Sequence, residues 1–267
     1  MTSFKLIKPS VQPVPILLSI PHCGVKFPDE LKAQYKQELI AAPDDTDWFV
    51  HQLYDFAASM GITVIHSIYS RWVIDLNRDP ESKPLYTDGR IITALCPSTT
   101  FAGEPLYTDE RKEVHHAEVK RRLEIYYKPY HDQVRKKLHE LKSNFGKVLL
   151  WECHSIRQFV PTVFPEKFPD LILGTNDEQS ASKGIIDATL AELRKSKYKV
   201  SHNFPFKGGY ITRHFGRPAE NQHAMQLEMS KVNYMDDAEM KYSEARAEKV
   251  REVLKKVFNA LIRKWLS

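Results

Sequence analysis

The chain has 267 residues, 42% of them apolar, and a net charge of +5. That length suits one domain spanning 1–267 with a substantial core, and no run approaches the roughly 18 apolar residues a membrane span needs. Lys and Arg are spread along predicted helices rather than gathered on one face, which argues against nucleic acid and leaves a modest field able to draw in a small anionic substrate.

In chain order, the first apolar run predicts a strand over 15–20, closed by Pro21-His22-Cys23-Gly24. A helix is expected over 44–59, opening at Pro43-Asp44-Asp45 and stopping at Gly61. Strands follow at 62–68 and 71–76. The stretch 79–108, rich in Pro, Thr, Tyr and Gly, reads as a long loop over a cleft, a candidate lid. A helix over 109–143 is expected to bend or split at Pro129. A strand at 147–153 then stops on His154 and Ser155. Further strands are expected at 171–174, 199–203 and 223–229, with helices at 177–196 and 236–265. The last helix places Val250, Val253, Leu254, Val257, Leu261 and Trp265 at spacings of three and four, so it is amphipathic. Strands alternating with helices predict an α/β fold with a mostly parallel sheet covered on both faces. The N-terminal Met-Thr-Ser-Phe-Lys lacks the long apolar stretch of a signal peptide, so a cytoplasmic protein is expected. The three cysteines, Cys23, Cys96 and Cys153, are then expected as reduced thiols.

His22 and His154 stand apart from the other histidines because each directly follows an apolar strand. In an open α/β sheet, ligands bind beyond the carboxyl ends of the strands. Two imidazoles there can share a metal, and a catalytic zinc takes three protein ligands plus water. His51, His115, His116, His131 and His139 lie on predicted helices and read as solvated or structural. Neighbours on a strand point to opposite faces, so Cys153 faces the core if His154 faces the cleft. The third ligand has a source in Asp44-Asp45-Thr46-Asp47, with Asp47 ahead of Asp45; helix capping is the plainer role for the same residues.

In His223-Ala-Met-Gln-Leu-Glu-Met-Ser230, Met225, Leu227 and Met229 share one face while Gln226 and Glu228 share the other. Glu228 can serve as a general base on metal-activated water, or it can be a solvent-facing acid on an edge strand. The segment from Arg71 to Arg78 begins and ends with guanidinium groups, which grip carboxylates in two-pronged fashion. Lys207-Gly-Gly-Tyr-Ile-Thr-Arg213 offers another such group behind paired glycines. Two structural ion pairs, to Asp75 or Asp79, are the alternative. A nucleophile mechanism is less favoured: Cys23 neighbours His22, but the chain has no G-x-S-x-G elbow, P-loop or G-x-G-x-x-G.

Taken together, Ser-Ile-Pro-His-Cys-Gly (19–24), Asp-Thr-Asp-Trp (45–48), Ser-Arg-Trp-Val-Ile-Asp-Leu-Asn-Arg (70–78), Glu-Cys-His-Ser (152–155), Gly-Gly-Tyr-Ile-Thr-Arg-His-Phe-Gly (208–216) and Gln-Leu-Glu-Met-Ser (226–230) resemble the N-formylglutamate amidohydrolase family. The resemblance spans most of the chain in order. It implies a three-layer α/β/α sandwich around a mostly parallel mixed sheet, distantly similar to zinc carboxypeptidases. It implies zinc-binding roles for His22 and His154, a carboxylate clamp at Asn77 and Arg78, and a catalytic role for Glu228. Carboxypeptidases place a glutamate ligand three residues after the first histidine. Val25 stands there in this chain, so Asp47 or Asp45 is the expected substitute. The implied reaction is Zn2+-dependent hydrolysis of N-formyl-L-glutamate to formate and L-glutamate, at the end of histidine degradation. Arg71, Asn77, Arg78 and Arg213 are expected to hold the carboxylates of this small N-acyl amino acid substrate. A related amidohydrolase with another acyl group, and a non-catalytic binding protein on the same fold, are the alternatives.

Overall fold

Apolar runs that can bury both faces belong at the centre of a parallel sheet, and the computed structural model places them there. It describes residues 2–81, 83, 93–109 and 113–266. In chain order the described elements are β1 (Phe4–Ile7), β2 (Ile16–Ile20), α1 (Asp29–Lys32), α2 (Gln37–Ala41), α3 (Val50–Leu53), β3 (Thr63–Ser67), α4 (His116–Arg122), α5 (Lys128–Phe145), β4 (Val148–Ile156), β5 (Leu171–Gly174), α6 (Lys183–Arg194), β6 (Val200–His202), α7 (Tyr210–Phe215), β7 (Gln222–Ser230) and α8 (Glu244–Leu266). A 3-10 segment, Asp55–Met60, follows α3.

The sheet runs β1-β3-β2-β4-β7-β5-β6. β3, β2, β4 and β7 are mutually parallel, β1 and β5 join antiparallel, and β6 pairs parallel with β5. Strand parity sorts the core into two layers. Leu18, Trp151, Cys153, Met225 and Leu227 pack toward α3, α6 and α8, in one cluster with Leu53, Leu190 and Phe258. Leu17, Leu150 and Ala224 point the other way, toward Tyr130 and Val134 of α5 and Ile211 and Phe215 of α7. The expected three-layer sandwich with a mostly parallel mixed sheet is therefore present. Among the described residues no helix is long and apolar enough to cross a membrane.

Several boundaries differ from the sequence reading. Residues 71–76 are not a strand: the segment is buried but turns, with Val73 N donating to Ser70 O and Asp75 N to Leu95 O. A fully buried apolar run has no period to distinguish strand from loop. The expected helix over 44–59 begins only at Val50, because Phe49 adopts a left-handed φ of 62°. The expected break at Pro129 takes the form of a wider π-type turn over Leu123–Tyr127, after which the proline opens α5, where no N–H is required of it. The helix expected over 236–265 starts at Glu244. Part of the 79–108 segment lies outside the described residues.

Candidate active site

Parity that makes Leu150 and Ala224 core residues carries Glu152, His154, Gln226 and Glu228 onto the same sheet face, farther along β4 and β7. His154 and Glu228 are direct partners in the β4–β7 register. β7 is a central strand, so Glu228 is not an edge-strand acid; it is buried. His22 follows the end of β2, the neighbour of β4 on its other side. Asp47 arrives on the loop before α3, fixed by donating its backbone N–H to His22 O at 3.0 Å.

His22, Asp47 and His154 are all buried, and each offers a ligand atom within 4.8 Å of the others. His154 Nδ1 lies 3.0 Å from Asp47 Oδ2, and His22 Nδ1 lies 3.9 Å from the same oxygen. The opposite nitrogen of each ring meets its own carboxylate: His22 Nε2 to Asp75 Oδ1 at 2.7 Å, and His154 Nε2 to Glu152 Oε1 at 2.7 Å. A carboxylate oxygen can only accept, so each Nε2 carries a proton and His154 Nδ1 donates to Asp47 Oδ2 as well, while His22 Nδ1 faces the cluster. His22 Nδ1 has no hydrogen-bond partner.

The charges of the cluster act on one another at short range. Burial alone would lower the His154 pKa, but the carboxylates of Glu152 and Asp47 overcome it and hold the imidazole well above its usual value. Burial would raise Asp47, yet the hydrogen bond and charge of His154 bring it below the ordinary range. Asp75 is likewise buried, and Arg71, His22 and Arg78 pull it well down. Glu228 behaves oppositely: burial pushes it up to about 8, against the pull of His154. Gln226 Nε2 donates to Glu228 Oε2 at 3.3 Å.

Asp47, not Asp45, joins the histidines. Asp45 accepts from Trp72 Nε1 at 2.8 Å and from Phe101 N at 3.0 Å, holding a loop crossing. Asp44 pairs with Arg157. None of the three caps a helix.

The arginines divide. Arg71 is buried and donates Nη2 to Asp75 Oδ2 at 2.6 Å, with its guanidinium 4.7 Å from the Phe101 ring centre. The ion-pair alternative for Arg71 is thus present in the fold. Arg78 lies 3.7 Å from Asp75 and donates to Thr93 O and Oγ1, each at 3.2 Å. Arg213, on α7, donates Nε to Gly208 O at 2.9 Å. Asn77 places Oδ1 on Ile211 N at 2.8 Å and Nδ2 3.0 Å from His154 Nε2. The paired glycines are required here: a Cβ on Gly209 would stand 2.2 Å from Asn77 Nδ2, and Gly208 has φ +108°. Glu152 Oε2 also accepts Thr212 N at 3.1 Å, so one carboxylate ties His154 to α7.

Sequence reasoning assigned no role to Glu152 and gave Asp75 only an ion-pair role. A signal existed for Glu152, which sits two residues before His154 and therefore on the same strand face. Asp75 sits in a turn, where no periodicity reports direction.

The comparisons with known proteins place this chain among amidohydrolases. The chain belongs to the N-formylglutamate amidohydrolase family, whose profile matches residues 14–235. Among curated proteins it is 41% identical to the N-formylglutamate deformylase of Pseudomonas putida, over 93% of this chain and 92% of that one. It is 38% identical to the enzyme of the same name from Pseudomonas aeruginosa, over 93% of each. Among solved structures it superimposes with a TM-score of 0.82 on an N-formylglutamate amidohydrolase from Ralstonia eutropha JMP134, at 27% identity and 99% coverage of both chains.

Proposed function

We propose that this chain hydrolyses N-formyl-L-glutamate to formate and L-glutamate, using one divalent ion, zinc, held by His22, Asp47 and His154. The observation that carries this reading is the buried convergence of two Nδ1 atoms and a carboxylate oxygen, each ring braced from behind by its own acid. The donors fit such an ion. A two-histidine, one-carboxylate set is an established zinc ligand set, and carboxylates behind the rings fix their orientation and raise their basicity. The orphaned His22 Nδ1 costs about 1–3 kcal/mol as it stands, a cost that a metal–nitrogen bond removes. Bound there, the ion would supply Lewis acidity, polarising the acyl oxygen and lowering the pKa of water toward ~7.

The chain's own residues do the rest. Glu228 accepts the proton of the attacking water on a carboxylate oxygen and returns it to the departing nitrogen. Burial already lifts its pKa to about 8, and a nearby cation pulls it back toward neutrality, the range in which one carboxyl can do both jobs. Asn77, Arg78 and Arg213, with Arg71 braced on Asp75, hold the glutamate carboxylates and fix the acyl carbon over the cluster. The family and the deformylase relatives supply the substrate in this reading.

The test is formate release from N-formyl-L-glutamate by purified protein, with metal analysis, before and after chelation. Turnover with about one zinc per chain, lost on chelation and restored by zinc, is expected. Full activity in protein stripped of metal overturns the metal assignment, and no formate release from zinc-loaded protein overturns the reaction.

A further inference from the structure

The polar sheet face presents Glu152, His154, Gln226 and Glu228, and the chemistry above uses all of them except Gln226. Gln226 precedes Glu228 by two residues on β7, so its side chain shares that face, and it is buried. A buried carboxamide needs a donor at one end and an acceptor at the other. The backbone N–H of Gly209 can only donate, and it lies 2.7 Å from Gln226 Oε1, which fixes that end as the oxygen. The other end is the NH2, and it points at Glu228 Oε2, 3.3 Å away. Among the described residues no other side chain hydrogen-bonds the Glu228 carboxylate. Oε2 is therefore occupied by a donor, and Oε1 is the oxygen left to take a proton from water. Catalytic contacts are often long before substrate arrives and tighten in the complex.

The oxygen end of the same amide reaches the substrate clamp. Gly209 O accepts Arg213 N at 3.1 Å, and Gly208 O accepts Arg213 Nε at 2.9 Å. This glycine turn is pressed against the sheet: a Cβ on Gly174, the β5 register partner of Gln226, would stand 2.6 Å from Gly208 N. It is also braced from behind. Asn176 N donates to Lys207 O at 2.6 Å, and Lys207 Nζ pairs with Asp177 at 2.8 Å. Asn176, Asp177 and Glu178 have φ of 49°, 52° and 68°, a left-handed run that such residues keep only where their surroundings impose it. Strained backbone thus supports the turn that meets Gln226.

We infer that Gln226 is a positioning residue for this reaction: its carboxamide aims the Glu228 carboxylate, leaving Oε1 for the water, and anchors the glycine turn that holds Arg213. One side chain then sets the base and the clamp relative to each other. This inference rests on the amidohydrolase reading above, in which Glu228 takes the proton.

The test measures kcat, per bound zinc, and KM for N-formyl-L-glutamate. Gln226→Glu keeps an acceptor for Gly209 N–H but turns an oxygen, not a donor, toward Glu228. Its kcat should fall about 10–100-fold while KM stays within about threefold. Gln226→Met keeps the bulk and loses both bonds, so kcat should fall by a similar factor and KM should rise about tenfold. In a Glu228→Gln background, Gln226→Met should lower kcat by no more than about twofold, because a residue acting through Glu228 has nothing left to aim. A residue that only packs lowers kcat by the same factor in both backgrounds. A second readout needs no turnover. In isotope-labelled, metal-free protein, the Gly209 amide proton resonance should move downfield in Gln226→Glu, whose acceptor is charged, and upfield in Gln226→Met, which has none.

A parent-like kcat in both variants, or equal losses in the two backgrounds, overturns this inference and leaves the proposed function standing. A Gly209 resonance unmoved in both variants overturns the link to the clamp. No formate release from the zinc-loaded parent overturns that function and, with it, any role of Gln226 in the reaction.

Discussion

His154 and Glu228 are direct register partners on adjacent parallel strands, so a candidate metal ligand and a candidate base are held at a separation set by the sheet. Neither residue sits on a loop, and both are buried. Such a pair can be altered one member at a time without moving the other. Glu228→Gln keeps the size and the Gln226 contact but cannot take up a proton. It should retain zinc and lose roughly 10²–10⁴ in kcat, read by formate release alongside metal analysis. A kcat close to that of the parent would remove Glu228 from the chemistry.

The neighbouring aspartates separate by function. Asp47→Asn weakens a ligand oxygen shared by both imidazoles, and His154→Ala removes a ring altogether; both should lose zinc and activity together. Asp45→Asn touches only the Trp72 and Phe101 bonds. It should lower unfolding stability by about 1–3 kcal/mol with metal affinity unchanged. Chelator competition on the three variants decides the matter; a metal defect in Asp45→Asn equal to that in Asp47→Asn would show that the third ligand has been misassigned.

Asp75 and Glu152 should be felt through the rings they brace. Removing such a partner usually costs 10–100-fold in metal affinity. Asp75→Asn keeps an acceptor for His22 Nε2 but loses its charge, and it also unpairs Arg71. Glu152→Gln does the same to His154 and loosens Thr212 of α7. Both should release zinc more readily than the parent in a competition titration. If either binds zinc as tightly as the parent, its carboxylate only packs.

Much of this was legible in the sequence where side-chain direction follows from a period. The alternation of 223–229 put Glu228 opposite Met225, Leu227 and Met229, and the structure has that split. The same rule sent Cys153 to the core once His154 faced the cleft. It failed where the chain abandons a period. Residues 71–76 are as apolar as a strand, but Arg71 reaches back to Asp75 across a turn, a contact strand geometry forbids. Asp44, Asp45 and Asp47 look like one helix start, yet they diverge to Arg157, Trp72 and His154 because Phe49 breaks the helix. β1 was missed because it is a four-residue edge strand with half its side chains toward solvent. Orienting acids such as Glu152 are visible only when it is known which ring they stand behind.

His131 gives the fold a pH dependence that can be measured apart from the site. It is buried on α5, stacked on Tyr127 at 4.0 Å, and its Nε2 donates to Leu76 O at 2.8 Å, beside Asn77. Burial pushes its pKa down to about 3, below the unfolded value near 6.5. Between those values the unfolded chain binds a proton that the folded chain refuses. Stability from this group is therefore complete above about pH 6.5 and is lost as pH falls toward 3, by up to about 1.4 kcal/mol per pH unit. His131→Phe keeps an aromatic ring and abolishes the titration. It should be less stable at pH 7.5, by about 1 kcal/mol for the lost bond to Leu76, but should lose less stability than the parent on going to pH 5. Urea unfolding at both pH values gives the comparison directly. Equal losses in parent and variant would mean that acid sensitivity arises elsewhere, with His223, lowered to about 4 by burial, the next group to replace.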